Sequence, residues 1–166
     1  MEKQLHWVKE AFSRDVVIMA GEQVIGGMNR DILAWDVDAY LNDVQILFDV
    51  KGFLVHSVNV HDKKDNNRII GQIDFDWLHS ATLNLATNET YVWKRDSFPM
   101  WEWSILEQAS ADSAQEIIHY DRTRALIVDE GNIELLKEST NMELLILTGL
   151  FVRNYFLRKR KLAAAR

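Results

Sequence analysis

Two pairs of carboxylates, Asp36/Asp38 and Asp74/Asp76, have the type and spacing closest to chemistry in this 166-residue chain. Residues i and i+2 of a strand share a face, so each pair sets two carboxylates side by side. Four gathered together would suit a calcium ion or acid–base work. Each pair, however, alternates with apolar residues: Leu33, Trp35, Val37 and Ala39 in one stretch, Ile69, Gly71, Ile73, Phe75 and Trp77 in the other. A half-buried strand turns its polar face to water, so solvation is the expected role of both pairs. The five histidines, His6, His56, His61, His79 and His119, form no HExxH spacing. His56 and His61 stand an odd number apart and would face opposite sides of a regular strand. Ordinary surface or strand histidines are expected, and no metal site. Ser13, Ser57 and Ser80 lie in no G-x-S-x-G pattern, and Gly26-Gly27 belongs to no phosphate-binding loop. Cysteine is absent, which excludes disulfides, thiolate nucleophiles and thiolate metal sites. No catalytic residue and no cofactor are expected, and the chain reads as non-enzymatic.

Charge gives a second candidate. Net charge is −6, yet six of the 19 basic residues and none of the 25 acids fall from Arg153 onward. An acidic body with a basic tail does not suit nucleic acid. Arg158, Lys159, Arg160 and Lys161 are the candidate lipid-binding residues, since a basic run can meet an anionic surface. The competing role is to cap a helix dipole while solvated. No comparable basic cluster is evident in the rest of the chain. The tryptophans Trp35, Trp77, Trp93, Trp101 and Trp103 could stack on ligands, but beside Ile, Leu and Phe they read as core.

The elements that must position these residues are a helix and many short strands. Thr140 and Glu143 have capping-box spacing ahead of MELLILTGLFVRNYFL, which is apolar on nearly every face. A helix apolar all round must be enclosed. This run is shorter than the roughly 20 apolar residues of a membrane span and contains Glu143, Arg153 and Asn154. It is therefore expected inside the protein, as a central helix and basic tail over 140–162. Before it, residues 1–14 read as a lead-in, helical or extended. From Asp15 come about twelve short alternating runs, the last two divided by a turn at Gly131. Trp101, Trp103 and Ile105 are expected on one face. Gly26-Gly27 suggests a bulge or close backbone approach. A repeat at an offset of 45 aligns Ile25-Gly26 with Ile70-Gly71 and Asp43–Phe48 with Asn88–Trp93. The expected fold is one mainly β domain over 1–166: an antiparallel barrel or bent sheet of about twelve strands enclosing a hydrophobic C-terminal helix.

That order of elements resembles the tubby C-terminal-like superfamily, which includes LURP-one-related proteins and scramblases. The resemblance is carried by Ile-Gly-Gln-Ile-Asp-Phe (70–75), ATLNLATNETYVWK (81–94), MWEWSIL (100–106) and LLILTGLFVRNYF (144–156). It implies a twelve-stranded barrel around the helix. The acidic calcium loop and Cys-rich segment of scramblases are missing, so scramblase activity is not implied. The resulting expectation is a binding module for anionic lipid or a protein partner, cytoplasmic and peripheral to the membrane where the tail engages it. The alternatives are a small-ligand or enzymatic cleft at the barrel end and an oligomerising scaffold.

Overall fold

The computed structural model describes residues 3–10, 12–50, 57–76, 80–97, 100–123 and 126–164. His56, Trp77, His79 and Arg166 lie outside the described residues. Twelve strands precede one helix: β1 Gln4–Glu10, β2 Asp15–Ala20, β3 Gln23–Arg30, β4 Val37–Leu41, β5 Val44–Asp49, β6 Ser57–Asp62, β7 Arg68–Phe75, β8 Ser80–Leu85, β9 Thr90–Arg95, β10 Glu102–Ser110, β11 Ser113–Asp121, β12 Val128–Leu135, then α1 Met142–Ala164. Each strand is antiparallel to its neighbours in sequence, and β1 pairs with β12 to close the barrel.

Alternation builds the inner wall. Val37, Ala39 and Leu41 of β4, Ile46 and Phe48 of β5, and Ala81 and Leu83 of β8 point inward and are buried, with Asp38, Gln45, Thr82 and Asn84 on the outer face. α1 fills the interior, with Leu145, Ile146, Leu147 and Val152 fully enclosed. Burying such a side chain contributes about 2 kcal/mol. Phe48 stacks on Phe151 with ring centroids 4.2 Å apart. The barrel also grips the helix backbone. The indole N–H groups of Trp93 and Trp103 each donate to the Gly149 carbonyl at 3.1 Å. The Tyr120 hydroxyl reaches the Leu145 and Ile146 carbonyls at 3.1 and 3.0 Å.

Several expectations are corrected. Within 1–14, residues 4–10 take the extended alternative but are more than a lead-in, because β1 pairs on both sides and closes the barrel. Gly131 makes no turn: it lies inside a continuous β12, where a Cβ would come 1.8 Å from the Asp121 carbonyl oxygen. The number of strands stands because these two changes offset. Leu33 and Trp101 precede their strands and are exposed. The helix is not capped by Thr140: the Leu145 N–H donates to the Asn141 carbonyl, and Ser139 Oγ accepts from the Asn141 N–H.

The repeat has a structural counterpart. β3 and β7 span equivalent residues at the offset of 45. Ladder β2–β3 skips Ile25, ladder β6–β7 skips Ile70, and ladder β10–β11 skips Ile117. A bulge thus recurs on every fourth strand. At β7 it flips the alternation, so that Ile69 is exposed rather than inward.

Candidate functional site

α1 is 23 residues long, about 35 Å at 1.5 Å per residue, and outlasts the strands around it. It leaves the barrel at the end where β1 and β3 finish and β2 begins. There it helps to form a cavity of about 430 Å³. Val16, Met28, Trp35, Val37, Phe151 and Tyr155 provide apolar walls, and Lys9, Arg14, Arg30, Arg122, Arg158 and Lys161 add six cations. One carboxylate, Asp129, lines it.

Asp129 is already committed. Its Oδ1 accepts from Arg122 Nε at 2.7 Å and its Oδ2 from Arg153 Nη1 at 3.1 Å. Arg153 is only 1% exposed, and its guanidinium lies 4.8 and 4.9 Å from the Trp7 and Trp103 rings. Far from belonging to a solvated tail, Arg153 is a core residue. Lys9, Arg14, Arg30, Arg158 and Lys161 have no carboxylate within salt-bridge distance among the described residues.

Burial pushes the Lys9 ammonium below its ordinary range, and the charges of Lys161, Arg153 and Arg30 push the same way against Asp129. Burial lowers Arg30, helped by Arg14, and burial lowers Arg158, helped by Arg30. The mouth therefore holds mutually repelling cations in a concave, partly desolvated setting, which focuses positive potential. Arg158 is positioned rigidly: its guanidinium stacks 3.8 Å from the Trp35 ring centroid, and its buried Nη1 has no acceptor. Chemically, the arrangement can hold an anion and neutralise several charges at once.

Of the four lipid-binding candidates, Arg158 and Lys161 line this cavity. Lys159 instead sits 5.1 Å from the Tyr155 ring, and Arg160 is outside the lining. Arg158, Lys159 and Arg160 are half-buried. Lys9, Arg14, Arg30 and Arg122 were not legible as a cluster, since each stands alone in sequence. Their common signal is position, at or beside the strand ends that meet at one barrel mouth.

The carboxylate pairs do not gather. β5 and β6 separate β4 from β7. Asp36 accepts from the Val50 N–H at 2.8 Å and Asp38 from Lys63 at 2.6 Å. Asp74 accepts from Gln72 at 2.8 Å and Asp76 from the Ser80 N–H at 3.0 Å.

A separate polar cluster lies on the outer face of β9–β11. His119 Nδ1 is 2.8 Å from Glu116 Oε1, and Nε2 is 3.3 Å from Glu102 Oε1. The buried Ser104 hydroxyl contacts Asp96 and Glu116. Ligand atoms of Asp96, Glu116 and His119 lie within 4.8 Å of one another. The bulge at Ile117 makes this possible by bringing Glu116 and His119, three apart, to one face. Burial opposes protonation of His119, but its hydrogen bonds to Glu116 and Glu102 and the charges of Glu116 and Asp96 outweigh it and raise the pKa.

The chain matches no family model, no curated protein and no solved structure. No described helix is long and apolar enough to cross a membrane. The mouth's geometry and charge therefore supply the functional evidence.

Proposed function

We propose that this protein is a non-enzymatic binding module of the tubby C-terminal-like kind, which takes the anionic head group of a lipid in the barrel mouth. The observation that carries the reading is the set of five cations there, Lys9, Arg14, Arg30, Arg158 and Lys161, without carboxylate partners among the described residues. Guanidinium forks suit phosphate oxygens geometrically, and ammonium groups add compact charge. The stacked Arg158 loses little freedom on binding, which favours affinity. A closed barrel around a C-terminal helix is also the arrangement that the sequence resemblance implies.

The cavity's position at the barrel end equally favours a small soluble anion. An acid–base enzyme is the poorer reading, because the carboxylate that lines the cavity is held by two guanidinium groups.

Calorimetric titration with inorganic tripolyphosphate, and separately with vesicles of phosphatidylcholine or phosphatidylcholine plus phosphatidylserine, distinguishes these. Head-group recognition predicts binding to the anionic vesicles that is weakened about tenfold or more by Arg30→Gln with Arg158→Gln. Binding to tripolyphosphate alone would favour the soluble ligand. Binding to neither would overturn the reading of the mouth.

A further inference from the structure

We infer that three loops around the mouth insert into the bilayer, seating the barrel end-on on an anionic membrane; this rests on the anion-binding reading of the mouth. The five most exposed large apolar side chains among the described residues are Phe12 at 105%, Leu33 at 96%, Leu126 at 94%, Ile127 at 80% and Ile32 at 68%. The next, Val24, is at 52%. All five occupy the β1–β2, β3–β4 and β11–β12 connections. The barrel order β11, β12, β1, β2, β3, β4 makes these three connections consecutive, and all three lie at the end where α1 emerges.

Folding gives no reason for this placement. Phe12 is held at φ 65°, a left-handed conformation unfavourable for a bulky residue, while its ring touches little. The Leu33 loop is braced: Asp31 Oδ1 accepts from the Leu33 and Ala34 N–H groups at 2.8 and 3.3 Å, and the Asp31 N–H donates to the Asp36 carbonyl at 3.0 Å. A firmly built loop thus presents an apolar tip to water.

The tips stand beyond the strand ends, while Lys9, Arg30 and Arg122 sit on or beside those ends. Apolar residues outermost with cations one layer behind match the order of acyl chains and anionic head groups. The opposite end has less exposed apolar side chains. Its turns at 21–22, 42–43, 63–67, 86–89 and 111–112 carry Glu22, Asp43, Asp65, Glu89 and Asp112 against Lys63 and Lys64, and no large apolar side chain. The 136–141 connection at that end contributes Leu136 at 46% exposure. A protein partner would satisfy the apolar tips, but the cations directly behind them favour a surface that offers both layers.

The absence of cysteine permits a direct test in the full-length chain. An environment-sensitive fluorophore is placed at Leu33→Cys, or at Thr87→Cys on the opposite end. Each protein is mixed with phosphatidylcholine–phosphatidylserine vesicles, with and without brominated acyl chains. The label at position 33 is expected to shift to the blue and be quenched by bromine; the label at 87 is expected to do neither. Leu33→Ser with Ile127→Ser should lower vesicle partition about tenfold and leave tripolyphosphate binding unchanged. Vesicle binding with a water-like label at 33, or undiminished partition of the double variant, would overturn insertion while sparing the mouth. Tripolyphosphate binding without vesicle binding would do the same. Loss of both ligands in the unsubstituted protein would remove the mouth reading and insertion with it.

Discussion

Arg153 packs against two indole rings that also touch each other, with Asp129 as its counter-ion, and the same carboxylate also holds Arg122. Removing one partner of a buried pair leaves an uncompensated charge, at a cost of about 3–5 kcal/mol. Asp129→Asn is expected to destabilise by about 3 kcal/mol in urea denaturation. Arg153→Met should cost less, because it removes the more buried charge and keeps some bulk against Trp7 and Trp103. An equal or reversed order would count against the assignment. His119 provides a pH prediction. Its folded pKa lies above the ordinary 6.5, so its stabilisation is complete below about 6.5 and is lost as pH rises through the raised value. Titration by NMR should find His119 raised, and Glu116→Gln should bring it down. An unshifted His119 would contradict the hydrogen-bonded cluster. Neither group was legible as a pair or cluster in the chain. Arg153 read as the start of a tail because burial of a charge leaves no mark in sequence. Glu116 and His119 are three apart, a spacing that separates residues across a regular strand.

The seat of α1 is the feature that ties strand to helix. A Cβ on Gly149 would lie 2.1 Å from the Tyr120 hydroxyl oxygen, so the helix and β11 approach as closely as glycine allows. Alanine would normally add about 1 kcal/mol to a helix. Here Gly149→Ala should instead destabilise, by about 1–3 kcal/mol of overpacking, read as a fall in Tm. A rise would mean the helix is seated elsewhere. The helix, its enclosure and most alternating strands were legible because apolar periodicity reports burial directly. Loops and bulges were not. Leu33 continues the alternation of Trp35 and Val37 in sequence, yet strand pairing starts only at Val37. Gly131 reads as a turn because the chain does not show the Asp121 backbone that needs the space. β1 was missed because a strand that closes a barrel depends on β12, more than a hundred residues away.

At the scale of the molecule, the barrel has two unlike ends. One gathers cations and apolar tips around the emerging helix, and the turns of the other carry five acids, two lysines and no large apolar side chain. Enclosure of α1 is the condition for both. Leu147 is 0% exposed, and Leu147→Asp should abolish cooperative unfolding, since an unpaired buried charge cannot be accommodated. A folded variant of normal stability would contradict the architecture. The cationic end was only half legible: the run Arg158–Lys161 was visible, but barrel closure was needed to bring Lys9, Arg14, Arg30 and Arg122 to it. The central claim is that this end meets an anionic membrane. Its most direct test is vesicle flotation with neutral or anionic lipid at low and moderate salt, using the unsubstituted chain and Arg158→Glu. The account predicts flotation with anionic vesicles only, reduced by salt and further reduced by Arg158→Glu. Equal flotation with neutral and anionic vesicles, or none with either, would contradict it.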